Sequence, residues 1–279
     1  MKLLLYCTIL FFCRIASAQN HEVERLWETD AILKTPESVL YYPEGEYLFV
    51  SNIDGNSDEK DGKGSIGKID LNGKVIAVDW VSGLNAPKGM GVFKNNLYVA
   101  DLSEVVVIDI LKGKVTKHIP IDSAVFLNDI TIDKNGVVYV SDTRSFKVHR
   151  IENGIVTTFL KDLQGPNGLL AINNDLYILD RGSLLKADAA KHITKVTDGM
   201  DKSTDGIEMI NSNEFLISCW TGILYYLTKD GDKEVLFDKR PSKINSADIG
   251  YNTKKKIVYV PTFFTNKVIA YKLKIIRRM

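Results

Sequence analysis

The stretch Val138-Tyr139-Val140-Ser141-Asp142 decides the fold, because the same short pattern recurs along the chain. Each copy has two or three β-forming residues followed by small or polar ones. The other copies lie at residues 48–52, 97–101, 176–180, 215–219 and 258–262. The last residues of successive copies are 49, 41, 38, 39 and 43 positions apart. A period of roughly 40–50 residues is typical of one blade of a β-propeller.

Turn-forming residues and further short strands surround each copy. A turn at residues 133–136 precedes the copy at residues 138–142, and strand-like segments follow it at residues 147–151 and 155–160. With the apolar segment before the turn, each unit contains four short strands. Six such units predict an all-β protein, a six-bladed β-propeller with four-stranded blades.

We expect the two chain ends to close the ring. The sixth unit ends after its third strand, at residues 267–273, and the strand-like residues 23–27 precede the first unit. An N-terminal strand therefore supplies the missing outer strand of the last blade. Such closure removes the open sheet edge that otherwise invites aggregation.

The N-terminus has the features of an export signal. Lys2 provides a basic start, residues 3–12 are almost entirely apolar, and Ala16-Ser17-Ala18 supplies a small-x-small cleavage pattern. We predict a signal peptide over residues 1–18, a propeller domain over residues 19–279, and a secreted or periplasmic location. The apolar run is too short to cross a bilayer, which needs about 20 residues, so no integral membrane segment is expected after cleavage.

The composition is that of an ordinary globular protein. The 279 residues are 45% hydrophobic and 25% charged, with a formal net charge of +1. Nothing in this balance indicates a nucleic-acid partner or an anionic membrane. Cys219 is the cysteine that remains after signal cleavage, and we expect a buried small hydrophobe there. These features do not indicate an oligomeric state.

One position of the repeat carries candidate ligands. The first strands of the six units align at residues 37–39, 88–90, 128–130, 167–169, 205–207 and 247–249, and the third residue of each triplet is apolar. First strands line the central channel of a propeller, so the first residues of the triplets are expected to converge on the axis. Around the ring these residues are Glu37, Lys88, Asn128, Asn167, Asp205 and Ala247.

Two carboxylates and two carboxamides in this ring predict a metal site with Glu37, Asn128, Asn167 and Asp205 as ligands. Hard oxygen donors suit calcium best, with Mg²⁺, Mn²⁺ and Zn²⁺ as alternatives. Each residue alone is explained as a turn former. Four oxygen-bearing side chains at one repeat position favour a ring of ligands instead.

Two further polar features are interpreted as structural. Asp101, Asp142 and Asp180 end the second strands, and we expect them to cap the turn into the third strand. Residues 54–64 begin like an EF-hand loop but lack its glycine and its bidentate glutamate. We therefore expect a polar, mobile insertion in the first blade.

The first-strand motifs resemble those of the senescence marker protein/gluconolactonase family of propellers, the regucalcin-like family. A looser similarity is to paraoxonase-like lactonases. The motifs are Pro36-Glu37, Leu127-Asn128-Asp129, Pro166-Asn167-Gly168-Leu169 and Thr204-Asp205-Gly206-Ile207. The resemblance implies that Glu37, Asn167 and Asp205 bind the metal and that Asn128 reaches its water or the substrate. Animal members carry an arginine for the sugar lactone where Phe126 stands here, so this sequence departs from that substrate contact.

The resulting hypothesis is a metal-dependent hydrolase of a lactone or related ester, with a small-molecule substrate in the axial pocket. Asp205 would accept a proton from water, Lys88 would stabilise the developing oxyanion, and Asn128 and Lys88 would contact the substrate. Trp220 and Phe263 lie just beyond second strands, where they form aromatic walls at the mouth or pack between blades. The alternative function is a non-catalytic propeller with a structural axial metal, serving as a binding or scaffold module.

Overall fold

The structure is a computed structural model that describes residues 20–212, 214–228 and 230–276. The predicted signal peptide over residues 1–18 lies outside the described residues. Within the described ranges, six four-stranded antiparallel sheets surround a central axis. The prediction of a six-bladed β-propeller is confirmed.

The strands follow the chain from the innermost to the outermost position of each blade. Strand β1 (His21–Glu28) belongs to the last blade. Blade 1 contains β2 (Pro36–Tyr42), β3 (Tyr47–Asn52), β4 (Gly64–Asp70) and β5 (Val75–Leu84). Blade 2 contains β6 (Pro87–Phe93), β7 (Asn96–Asp101), β8 (Glu104–Asp109) and β9 (Lys114–Pro120). Blade 3 contains β10 (Leu127–Ile132), β11 (Val138–Asp142), β12 (Lys147–Glu152) and β13 (Ile155–Leu160).

The second half of the ring repeats this order. Blade 4 contains β14 (Pro166–Ile172), β15 (Asp175–Asp180), β16 (Ser183–Ala187) and β17 (Ile193–Thr197). Blade 5 contains β18 (Thr204–Asn211), β19 (Glu214–Cys219), β20 (Ile223–Leu227) and β21 (Lys233–Asp238). Blade 6 contains β22 (Gly250–Asn252), β23 (Ile257–Pro261) and β24 (Val268–Ile275), with β1 as its outer strand. Short 3₁₀ turns lie at Arg240–Ser242 and Phe263–Thr265.

The N-terminal strand closes the ring as expected. Strand β1 pairs antiparallel with β24, and Val23 lies opposite Leu273. The indole Nε1 of Trp27 donates a hydrogen bond to Leu71 O at 3.0 Å, and its ring lies 5.8 Å from that of Tyr259. Trp27 therefore joins the last blade to the first, because Leu71 directly follows β4.

The core lies between neighbouring blades. Alternate residues of the repeated pattern pack against the next sheet, as Phe49 and Ile66 of blade 1 do against Val99 and Ile108 of blade 2. These four side chains are fully buried. Each contributes about 1.5–3 kcal/mol of hydrophobic free energy relative to exposure.

Small residues in the innermost strands let the blades approach closely at the axis. A Cβ atom added at Gly168 would clash with the backbone oxygen of Asp205, and one at Gly206 would lie 2.5 Å from Ile249 N. Glycine is required at these positions because neighbouring backbones meet there. This contact explains why the middle residue of several first-strand triplets is small.

Cys219 is fully buried, as predicted. No helix in the part of the chain that the structure describes is long and apolar enough to cross a membrane.

Candidate axial site

A local irregularity of the innermost strands presents the candidate residues at the axis. Pairing between first and second strands shifts register across Glu37, Lys88, Asn128, Asn167 and Asp205. A bulge of this kind frees one or two residues from the ladder and re-aims their side chains. The recurring bulge thus gives five blades the same way of presenting a polar side chain.

The five residues line one cavity of about 580 Å³. This cavity has a polar floor formed by Glu37, Lys88, Asn128, Asn167 and Asp205. Its volume falls within the range of roughly 300–1,000 Å³ that is common for small-molecule sites. The structure thus brings five of the six aligned first-strand residues, all except Ala247, to one cavity.

Glu37 is buried in the floor with an unused acceptor. Its side chain is 5% exposed, and Oε2 has no hydrogen-bond partner among the described residues. Burial raises the pKa of Glu37 well above its usual value, and the charge of Asp205 raises it further, while Lys88 opposes the shift. A buried carboxylate oxygen without a donor is costly unless a cation or a proton occupies it.

A hydrogen bond near the axis joins Asp205 to Asn167 of the neighbouring blade. The Nδ2 of Asn167 donates to Oδ1 of Asp205 at 2.9 Å, linking blade 4 to blade 5. Burial raises the pKa of Asp205 well above normal, Asp248 adds to this effect, and the hydrogen bond from Asn167 opposes it. The floor thus holds two carboxylates whose charged forms lack sufficient compensation.

Asn128 is oriented by a chain of hydrogen bonds. Its Nδ2 donates to Thr143 Oγ1 at 3.1 Å, and that hydroxyl donates to Pro166 O at 2.7 Å. The amide group is fixed with its nitrogen toward Thr143, which leaves its carbonyl oxygen as the acceptor that a cation or a ligand donor would meet.

Lys88 is a buried cation at the edge of the floor. Its Nζ donates to Ser57 O and Ala86 O, each at 2.9 Å, and lies 4.3 Å from the centre of the Phe126 ring. Burial lowers the pKa of Lys88 to about 8, whereas Glu37 opposes that shift. Two of the three N–H groups are used by backbone carbonyls, and one remains for another acceptor.

The donor set fits a hard divalent cation. Within residues 20–212, 214–228 and 230–276, no three His, Cys, Asp or Glu side chains gather closely enough to hold a metal by themselves. The carboxamides of Asn128 and Asn167 would therefore have to complete the ligand set with Glu37 and Asp205. The unpartnered Glu37 oxygen and the two buried acids are compatible with such an ion, because its charge would offset both carboxylates.

A second group of acids lies below this floor. The Oδ2 of Asp248 accepts from Ser38 Oγ at 2.5 Å, and the carboxylate of Asp129 accepts from Ile130 N and Leu169 N. Ser38 and Asp248 line a separate channel of about 190 Å³ with Glu208. The bonds from Ser38 to Asp248 and from Leu169 to Asp129 join neighbouring blades around the axis.

The second-strand aspartates have a different partner from the one expected. Asp101 accepts from Asn85 N and Ala86 N, and Asp142 accepts from Val125 N and Phe126 N. Asp180 likewise accepts from Gln164 N at 3.0 Å. We predicted that these aspartates cap the turn into the third strand, and this was wrong for their main hydrogen bonds. Only Asp142 also accepts from that turn, from Ser145 N at 3.3 Å. The carboxylates hold the loops that lead into the first strands.

The insertion of blade 1 is anchored at the rim. Besides the bond from Lys88 to Ser57, Asp58 pairs with Arg144 at 3.0 Å and Lys60 donates to Ser103 Oγ at 2.6 Å. The sequence analysis, which expected a mobile insertion, did not foresee these contacts with blades 2 and 3, because they join residues far apart in sequence. Ser57 lines the cavity, so the insertion contributes to its wall.

The residue that follows each copy of the repeated five-residue pattern points into the same region, and the sequence analysis used only two of these six residues. These residues are Ile53, Leu102, Thr143, Arg181, Trp220 and Phe263, and all except Leu102 line the cavity. Trp220 and Phe263, interpreted as mouth residues or packing residues, also contact each other edge to face at 5.6 Å. Arg181 was missed, and so were Arg144 and Lys202 in nearby loops.

Phe126 contacts two cations. Besides Lys88 Nζ on the ring, the guanidinium carbon of Arg144 lies 4.2 Å from the ring centre. Although Phe126 stands where a family arginine was expected, Arg144 brings a guanidinium to the same cavity from the turn after β11.

Comparisons with known proteins agree on the fold. No family model and no curated protein match the sequence. Virginiamycin B lyase from Staphylococcus aureus superposes with a TM-score of 0.68 at 13% identity, covering 92% of this chain and 100% of that one. A protein provisionally described as a gluconolactonase gives 0.68 at 15% identity, covering 91% and 93%. A chain of the nidogen/laminin complex gives 0.66 at 15% identity, covering 78% and 84%.

These likenesses define the class of the chain as a six-bladed β-propeller. At such low identities they establish the fold alone, and the same architecture serves enzymes and binding proteins. The function must be argued from the axial cavity.

Proposed function

We propose that the protein is a hydrolase of a lactone or related ester that uses a divalent cation, Ca²⁺, held by Glu37, Asn128, Asn167 and Asp205. The observation that supports this function most directly is the convergence of these side chains and Lys88 on a single ligand-sized cavity. A bound divalent cation supplies positive charge that polarises a carbonyl group and lowers the pKa of water.

Asp205 is proposed as the general base. It is a buried carboxylate in the cavity floor, and the hydrogen bond from Asn167 fixes its orientation through Oδ1. As water attacks the carbonyl carbon of the ester, Asp205 accepts the proton that the water loses, and it returns that proton to the leaving alcohol oxygen as the acyl C–O bond breaks. Proton transfer by a positioned side chain contributes about 10²–10⁴-fold to the rate of such reactions.

Lys88 and Asn128 are proposed to act on the substrate. Lys88 would donate its remaining N–H to the oxygen that gains negative charge in the transition state. Its two bonds to backbone carbonyls hold the ammonium in place before the substrate binds. Asn128, fixed by Thr143, would orient the substrate or the attacking water.

Export of the protein is part of the proposal. Residues 1–18 have the pattern of a signal peptide. Extracellular calcium sites work with dissociation constants of about 10⁻⁴–10⁻³ M. A site with only two carboxylates is compatible with this range of affinity, because calcium affinity depends on the charge of the ligands.

The second candidate is a non-catalytic propeller in which the cation is structural. The feature that favours it is burial, since Glu37 is 5% and Asp205 2% exposed. An ion held at that depth would brace the blades around the axis. The cavity above the floor favours catalysis, because a structural plug does not require a ligand-sized space above it.

Metal analysis beside a hydrolysis panel tests the proposal. The purified protein would be analysed for bound calcium, and its melting temperature measured with calcium and with chelator. Hydrolysis of δ-gluconolactone, γ-butyrolactone and phenyl acetate would be followed in both conditions. Hydrolysis that chelator abolishes and calcium restores supports the enzyme. A calcium-dependent melting temperature without hydrolysis of any compound favours the structural role, and no response to calcium overturns both.

A further inference from the structure

One wall of the cavity is aromatic, and two of its side chains keep exposed surface. Trp220, Phe263 and Phe264 pack edge to face, with ring centres 4.7–6.0 Å apart. Phe264 is 66% exposed and Trp220 36% exposed, although both line the cavity. Edge-to-face packing holds these rings while leaving surface for another ring to contact.

A cationic edge lies beside this wall. Arg181 and Lys202 both line the cavity and are exposed. Among the residues that the structure describes, no carboxylate lies within ion-pair distance of either side chain, whereas Arg144 is paired with Asp58 at 3.0 Å. Uncompensated cations at a pocket edge are suited to receive an anionic group, and arginine binds carboxylate or phosphate oxygens in a fork.

Backbone hydrogen bonds bring the wall and the edge together. Trp220 N donates to Ser203 O at 2.8 Å, so the residue after Lys202 directly contacts the backbone that carries the indole. Gly182 N donates to Thr204 Oγ1 at 3.1 Å, which joins the turn of Arg181 to the same segment. Hydrogen bonds thus join the segments that carry Trp220, Arg181 and Lys202 at one side of the cavity.

The backbone at two of these residues is strained. Arg181 has φ = 46° and Phe263 has φ = 50°, and both are non-glycine residues in the left-handed region. Gly182 follows with φ = 87°, so Arg181 and Gly182 form the two-residue turn between β15 and β16. Turn residues far from the cavity, such as Asn153 and Lys256, share this conformation, so it fixes where the side chains of Arg181 and Phe263 emerge and does not by itself mark a ligand site.

From these observations we infer that the cavity selects an aromatic ligand that carries an anionic group. The ring packs on Trp220 and Phe264, and the anionic group binds Arg181 and Lys202. The inference rests on the proposed hydrolase function in one respect, which is that the ligand is the acyl or alcohol part of an ester or lactone. Arg181 and Lys202 hold the charged group at the rim, and the ester carbonyl is then turned toward the floor.

Calorimetric titration of the full mature protein tests this selection without requiring turnover. The probes are phenylacetate, phenyl phosphate, benzyl alcohol and acetate. We expect phenylacetate or phenyl phosphate to bind at least 10-fold more tightly than benzyl alcohol and acetate, with affinity that falls as salt is raised. The tighter of the two anions identifies the carboxylate or the phosphate as the preferred group. Equal binding of benzyl alcohol and the aromatic anions overturns the inference.

Variants separate the two surfaces. Arg181→Gln and Lys202→Gln should each raise the Kd of the preferred anion about 5-fold or more and leave benzyl alcohol binding unchanged. Phe264→Ala should weaken the anion and benzyl alcohol alike, and its exposure makes loss of folding an unimportant risk. The matched control is Lys114→Gln, because Lys114 is exposed on the outer strand β9 away from the cavity. Unchanged anion affinity in both cation variants overturns the inference.

Binding and hydrolysis fail independently. Tight binding of the aromatic anion with no hydrolysis of its esters supports the ligand class and refutes the proposed hydrolase. Hydrolysis of neutral lactones with no preference for aromatic anions supports the hydrolase and overturns the ligand class.

Discussion

Asn167 Nδ2 donates a hydrogen bond to Asp205 Oδ1 over 2.9 Å, joining the innermost strands of two neighbouring blades at the axis. Because the donor favours the charged carboxylate, this bond opposes the effect of burial on the pKa of Asp205. The same bond leaves Oδ2 of Asp205 for another partner. The hydrogen bond from Asn167 thus orients the proposed base and favours its charged form.

Asp205→Asn should separate ion binding from catalysis. The amide keeps an oxygen for the cation and loses the basicity that accepts a proton. We expect calcium binding to weaken yet remain measurable, while the hydrolysis rate falls about 100-fold or more. Calorimetry with calcium and rate measurement on the best substrate check the two effects. Asp122→Asn, at an exposed site, is the control, and a wild-type rate in Asp205→Asn would refute the role of base.

Glu37→Gln should weaken calcium binding and raise the melting temperature of the calcium-free protein. The substitution deletes one of the two carboxylates in the floor, so calcium affinity should fall about 10-fold or more. In chelator the variant should melt higher than the wild type, because it removes a buried charge whose oxygen lacks a donor. Melting curves with and without calcium test this, with exposed Glu22→Gln as the control. A calcium response equal to that of the wild type would exclude Glu37 as a ligand.

The fold was predictable because its signal is local and repeated. A pattern such as that at Val138–Asp142 specifies one strand, and six copies at a blade-like spacing specify the ring without any knowledge of contacts. The same register also singled out five side chains that line the axial cavity, although its sixth residue, Ala247, does not. Strand alternation and a fixed period carry this information in the sequence itself.

The rim was less predictable because its contacts join distant segments. Arg144 meets Asp58 only after blades 1 and 3 have come together. The acceptor role of Asp101 toward Asn85 and Ala86 depends on the connection from blade 1 to blade 2, which lies beside the end of β7. Such partners follow from tertiary geometry, whereas turn propensity at Asp101 is the same for either partner.

Glu208 should contribute to the pH dependence of stability. Burial, and next the charge of Asp248, raises its pKa from 4.5 to about 8 in the folded state. Between those values the folded state holds a proton that the unfolded state has released, so the free energy of unfolding falls as pH rises. Its stabilising contribution is fully present below pH 4.5 and is lost as pH approaches about 8.

Glu208→Gln removes this titration. In chelator, the melting temperature of the variant should fall less than that of the wild type between pH 5 and pH 8. Glu208 is partly exposed, so solvent reduces the effect. We expect the loss of unfolding free energy between pH 5 and pH 8 to be about 1–2 kcal/mol larger in the wild type than in the variant, or a few degrees in melting temperature. Glu22→Gln, on the exposed face of β1, is again the matched control. Parallel pH profiles for the wild type and Glu208→Gln would contradict the assigned shift.

Lys88→Met should slow hydrolysis while leaving metal content unchanged. Lys88 is 2% exposed, and methionine fills a similar apolar path beside Phe126 without the ammonium. Loss of a donor to a developing oxyanion costs about 10²–10³ in kcat, whereas KM should change less, because the interaction forms in the transition state. Lys88→Arg keeps the charge and should retain more activity than Lys88→Met if position tolerates the larger head group. Kinetics on the best ester, beside calcium analysis of the same samples, measure both effects. A kcat for Lys88→Met equal to that of the wild type would remove Lys88 from the reaction and leave it as an anchor for the backbone at Ser57 and Ala86.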